Sequence, residues 1–201
     1  MEILETHEKI HEAGHGHHVE HGPSKSTKHI AILISLLAAL LAIAEMGGKS
    51  AQNTSVIANI EASNLWNFFQ AKSIRMTIMR TQAEALALDT PQANPEQAQA
   101  IDQQIQKWRT TADRYDSEPG TGEGRKELAV KAKAAEDKRD RALAAYHLFE
   151  YGSAAFQLAI VLASASVVTG VMALAWLGGG LGFLGAAFSG LAWFAPTLMH
   201  L

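Results

Sequence analysis

Hydrophobic and polar positions divide this chain into apolar ends and a charged middle. Residues 151–201 contain no Asp, Glu, Lys or Arg, and Glu150 is the last formal charge. A charge-free run of this length exceeds any soluble core helix. It suffices for two passes through a bilayer, each of which needs roughly 20 mostly apolar residues. An earlier apolar run, HIAILISLLAALLAIAEM, has its strictly apolar part at residues 30–44. Lys28 and His29 at one end and Glu45 with Met46 at the other complete a membrane pass by reaching toward water.

Past Gly47 the pattern becomes amphipathic. Val56, Ile57, Ile60, Asn64, Leu65, Phe68, Ile74, Ile78 and Leu86 follow a three- or four-residue step, and Glu61, Lys72, Arg75, Arg80 and Glu84 are interspersed. That period is helical. Gly47 and Gly48 do not break it, since each glycine costs only about 1 kcal/mol relative to Ala. The pattern predicts one helix from about 27 to about 88, leaving the membrane near Gly47. Asp89-Thr90-Pro91 and Asn94-Pro95 end it.

A new helix starts at Pro95 with Asn94 as its cap. It carries Ile101, Ile105, Trp108 and Ala112 and ends in the turn sequence SEPGTGEG at 117–124. Residues 126–150 are rich in Ala and in charge, with Leu128, Ala132, Ala135, Arg139, Ala142 and Tyr146 on a narrow small-residue face. This helix is expected to run directly into the second membrane pass. A second pass over about 153–177 has a stripe of Ala159, Ala163, Ser166, Gly170 and Ala173. A third over about 181–199 follows the linker Gly178-Gly179-Gly180. Gly178, Gly182, Ala186 and Gly190 recur at four-residue steps, a spacing that lets helix backbones approach closely.

The expected fold is therefore an all-α integral membrane protein with three transmembrane helices and an extramembrane helical hairpin or bundle between spans one and two. Its divisions are a His-rich tail (1–27), transmembrane helix 1 (28–47), the hairpin (48–150), transmembrane helix 2 (151–177) and transmembrane helix 3 (178–201). The modest apolar content of the hairpin predicts that it packs against copies of itself as much as internally.

Composition narrows the chemistry. The net charge of −3 gives no basic excess, so no nucleic-acid partner is expected. Cysteine is absent, which removes disulfides, thiolate metal sites and cysteine nucleophiles. The first apolar run begins too late for a cleavable leader. Lys25 and Lys28 precede the first span against Lys49 beyond it, which points to a cytoplasmic N-terminus and a periplasmic hairpin. Lys138, Arg139 and Arg141 before the second span pull the other way.

The segment Leu65-Trp66-Asn67-Phe68-Phe69-Gln70-Ala71-Lys72-Ser73-Ile74-Arg75 lies a few turns beyond one span and long before a C-terminal pair. In this it resembles a family of small bacterial membrane proteins catalogued as domain of unknown function 4337. That family is similar in layout: a polar, often His-bearing tail, one span, a helical segment with a Trp and a Gln-Ala-Lys motif, then two spans. The resemblance implies the bacterial inner membrane and implies no activity. This chain departs from the family in having no basic residue between its last two spans, so orientation is not taken from the resemblance.

Few residues here suit catalysis. No Ser-His-Asp set or His-Glu-x-x-His motif is present, and the glycines at 120–124 follow a helix and lack the Lys-Ser/Thr ending of a phosphate loop. The candidate metal ligands are His11, His15, His17, His18 and His21, close enough to share Zn or Cu in competition with protons near pH 6.5. Trp66, Phe69, Gln70, Lys72 and Arg75 are the candidate partner- or lipid-binding face. Glu45 is an acid at the edge of the first span. The expected function is a non-enzymatic membrane scaffold or accessory subunit that self-associates or docks onto a larger membrane complex. The alternatives are a small oligomeric channel or transport component, with Gln157, Ser164, Ser166 and Thr169 as its polar lining, and a metal-binding protein using the His tail. The expected partners are membrane lipids and either further copies of the chain or the subunits of that complex.

Overall fold

A computed structural model describes residues 25–88, 90 and 93–198. The described residues form four helices and no strand: α1 (Lys25–Ala87), α2 (Pro95–Asp116), α3 (Arg125–Thr169) and α4 (Met172–Phe194). The 63 residues of α1 make a rod of about 95 Å at 1.5 Å per residue. The other helices are arranged along it.

Helix α3 runs antiparallel to α1. Trp66 meets Glu136, Asn59 meets Arg139, Gly47 and Gly48 meet Phe149, and Ile30 packs with Ala163. Helix α2 covers the remaining tip of α1 and has little contact with α3. Helices α2 and α3 thus lie end to end along α1. Asn94 caps α2 as the sequence predicts: its side chain accepts from the Gln97 N–H at 2.9 Å, and Gln97 reaches back to the Asn94 N–H.

The inner face of α1 beyond Gly48 is built mostly from small residues. In the charged part of α1, Ser55, Ala58, Ala62 and Ala83 are buried, with Met76 the one larger buried side chain, and α3 buries Leu128, Ala132 and Ala135. Small side chains let helix axes approach to the short end of the usual 8–10 Å. Val56, Ile57, Ile60, Phe68, Ile74 and Ile78 are all exposed on the opposite side. The stripe that marks this helix in the sequence is its outer face, and only Leu65 and Leu86 of that stripe are half-buried.

Near the chain ends, α1, α3 and α4 enclose a core of Leu37, Ala44, Leu148, Phe149, Phe156, Ala159 and Ala192. Three helices, α1, α3 and α4, contain stretches long and apolar enough to cross a membrane. The turn between the last two falls at Gly170-Val171, not at Gly178-Gly179-Gly180. Gly170 adopts φ 73°, a left-handed cap that closes α3, and the three later glycines are helical. A glycine run reads as a linker in the sequence, but the α3–α4 contact needs it in a helix. A Cβ on Gly178 would lie 2.8 Å from the Ala159 carbonyl oxygen. Gly182 faces Leu37 of α1, and Gly185 faces the backbone of Gly152. Of the other predicted packing positions, Gly170 is the turn residue, Ala186 is exposed, and Gly190 has open space around its Cα.

Candidate functional site

The aromatic-basic segment of α1 sits where α2 ends and α3 begins. Trp66 donates its indole N–H to Glu136 Oε1 of α3 at 2.9 Å. Its ring meets Phe69 edge to face, with centroids 5.3 Å apart. The Arg125 guanidinium, in the first turn of α3, lies 5.7 Å from the Phe69 ring centre, and Lys72 Nζ lies 5.3 Å from the Tyr115 ring near the end of α2. Such cation–ring contacts are attractive through the negative face of the ring. Trp66, Phe69 and Lys72 are therefore occupied by the protein's own helices. Gln70 and Arg75, on the same segment, point outward and are exposed.

The turn between α2 and α3 is tied at the same place. Asp116 accepts from Arg125 Nη2 and Lys126 Nζ, each at 2.7 Å. Glu127 accepts from the Ser117 hydroxyl at 2.6 Å and from the Glu118 N–H at 3.2 Å. The Lys126 and Arg125 contacts hold the Asp116 carboxyl below its ordinary range. The Ser117 hydroxyl does the same to Glu127. The Trp66 N–H, followed by Lys133, does the same to Glu136. This chemistry favours one geometry of the joint over others. Sequence reasoning missed Tyr115, Asp116, Arg125, Glu127 and Glu136. Opposite charges at 116 and 125–126, on either side of a glycine turn, were the available signal.

A second polar place opens between α1 and α3, where both helices pass from apolar to charged sequence. It is a side-open cleft of about 470 Å³ lined by Glu45, Lys49, Gln52, Tyr146, Glu150 and Gln157, among others. The Tyr146 hydroxyl donates to Glu150 at 2.6 Å, and that contact raises the Tyr146 pKa above its ordinary value. Glu45 is exposed at the rim. His11, His15, His17, His18 and His21 lie outside the described residues. Among the described residues no three His, Asp or Glu side chains converge as a metal site would require.

These features define an all-helical protein with three helices able to cross a membrane and a charged rod built from two of them and α2. The pattern of the family Domain of unknown function (DUF4337) matches residues 26–195, and the chain belongs to that family. No curated protein and no solved structure matches it.

Proposed function

We propose that the protein is a non-enzymatic membrane scaffold or accessory subunit, anchored by three spans and presenting a stiff helical arm to other proteins. The observation that carries this reading is the continuity of α1. The helix runs unbroken from the apolar residues 30–44 into the charged arm, across Gly47 and Gly48. Phe149 of α3 packs over both glycines and lies edge-on to Trp193 of α4. An arm continuous with its anchor holds a fixed distance and direction from the bilayer, which is what a scaffold needs. Within the joint, Trp66 and Phe69 of α1 are engaged by Glu136 and Arg125 of α3, which supports stiffness rather than ligand capture.

In this reading the membrane is the bacterial inner membrane, the N-terminus is cytoplasmic and the arm is periplasmic. Lys25 and Lys28 support that orientation. Gentle solubilisation of the native protein, followed by its mass and the identity of co-purifying chains, tests the scaffold role. A homo-oligomer or a larger complex is expected, and a lone monomer overturns it. Accessibility of a cysteine introduced at Lys107 to a membrane-impermeant reagent in intact cells tests the orientation. Labelling only after lysis reverses it.

A further inference from the structure

The outer face of α1 has a seven-residue repeat. Taking Ile57 as position a, the a and d positions from 46 to 88 are all exposed, while the inner face of the same helix is buried against α3 and α2. Ile57, Ile60, Ile74 and Ile78 are exposed by 58, 55, 61 and 45%. Across these positions Met46, Ile57, Ile60, Ile74, Ile78 and Leu88 are the large apolar residues, Ala71 and Ala85 are small, and Ser50, Asn53, Asn64, Asn67 and Thr81 are uncharged polar residues. No charge falls on this seam, although Lys49, Glu61, Lys72, Arg75, Arg80 and Glu84 all lie on the same stretch of helix. Apolar residues recurring at 3.5-residue spacing make the seam of a coiled coil, and uncharged polar residues among them set its register at a cost in stability. The inner face of α1 makes the contacts to α2 and α3, so this seam has no partner among the described residues.

We infer that the partner is a second copy of this chain, docked along α1 as a parallel, in-register two-helix seam. This deepens, and rests on, the membrane-scaffold reading. Copies inserted the same way in one bilayer have parallel α1 helices, with equal residues at equal depth. Each seam position then meets itself: Ile on Ile, Asn64 on Asn64, Asn67 on Asn67. A seam free of charge meets no like charge when it pairs with its own copy. Gln70 and Arg75 flank the seam at g and e, the spacing of five that joins neighbouring helices of a parallel pair. The Gln70 amide oxygen of one copy accepts from the Arg75 guanidinium of the other. That gives a role to the two residues of the aromatic-basic segment that the joint leaves outside.

The area is adequate. The seam runs about 64 Å at 1.5 Å per residue and is roughly 10 Å wide, the width of a helix. This amounts to about 1,300 Å² over both copies, above the roughly 1,200 Å² at which specific interfaces begin. The stripe also continues in phase into the apolar half of α1 through Ile32, Leu36 and Ile43, all exposed.

The chain has no cysteine, so single-cysteine variants report position without background. Ile60→Cys and Ile74→Cys, oxidised in native membranes, are expected to give a disulfide-linked dimer of this chain. Lys138→Cys, exposed on α3, is expected to give none. Ile74→Glu, which places a charge on the seam at a solvent-exposed position, is expected to halve the mass of the gently solubilised dimer. No dimer from either seam cysteine, in a native protein that is still homo-oligomeric, overturns the seam and leaves the scaffold reading standing. A cross-link from the seam to a different polypeptide overturns the seam and supports docking onto a larger complex. A native monomer overturns both.

Discussion

Trp66 and Glu136 are 70 positions apart in the chain and joined by one 2.9 Å hydrogen bond between α1 and α3. The bond ties α3 to α1 inward of the Phe69–Arg125 pair, one helical turn away along α1. A hydrogen bond to a charged acceptor is stronger than one between neutral groups, and a partly buried N–H without a partner is unfavourable. Glu136→Ala is therefore expected to lower the melting temperature of the detergent-solubilised protein more than Glu136→Gln, which keeps an acceptor. Trp66→Phe keeps the ring contact with Phe69 and removes only the donor. Combined with Glu136→Ala it is expected to cost less than the sum of the two single changes. Strict additivity would mean that the bond contributes nothing to the joint.

The carboxylates of this joint give the protein an acid limb. Asp116, Glu127 and Glu136 all titrate below their ordinary values of 3.8 and 4.5 in the folded state. A carboxylate depressed on folding adds stability that is complete above its unfolded pKa. That stability is lost as pH falls through the folded pKa. Thermal stability is thus expected to stay level from neutrality down to about pH 5 and to decline below about pH 4. The decline is expected to be shallow, because such solvent-accessible pairs contribute little each. Melting curves between pH 7 and 3 for the full chain and for Asp116→Asn check this. An Asp116→Asn protein with an unchanged acid limb would remove Asp116 from the explanation.

Much of the architecture is legible in the chain. The unbroken α1, the Asn94-Pro95 start of α2 and the entry of α3 into the last apolar region follow from period, cap and composition. The facing of α1 does not. A stripe of Ile and Phe at helical spacing reads as core, but the core-facing positions here are Ser55, Ala58 and Ala62. Which of two opposite stripes faces inward depends on how closely α3 approaches, and that is a property of the pair of helices. The candidate site divides for the same reason. Trp66, Phe69 and Lys72 meet α2 and α3, whereas Gln70 lies one step around the helix and faces outward. Sequence adjacency places all of them on one segment, and only the neighbouring helices separate them.

The position of the last turn gives a test whose outcomes differ in sign. Gly170 holds φ 73° with open space around it, so an added methyl meets no neighbour and acts only through the backbone. A side chain in that left-handed conformation costs roughly 1–2 kcal/mol. Gly179 and Gly180 are helical, and a Cβ on either also meets nothing within 4 Å. There, replacing glycine by alanine removes backbone freedom from the unfolded chain and favours the helix by about 1 kcal/mol. Gly170→Ala is therefore expected to destabilise the purified protein, and Gly179→Ala and Gly180→Ala to stabilise it or leave it unchanged, as read from thermal unfolding in one detergent. If 178–180 were the turn between the last two helices, the signs would be reversed: alanine would be harmless at 170 and costly at 179 and 180. The Gly178→Ala variant separates packing from conformation. Its backbone is helical like that of its two neighbours, but its new methyl would stand 2.8 Å from the Ala159 carbonyl oxygen. A loss of about 1–3 kcal/mol there, typical of overpacking, beside neutral or favourable changes at 179 and 180, would identify the glycine run as a contact surface in a continuous helix.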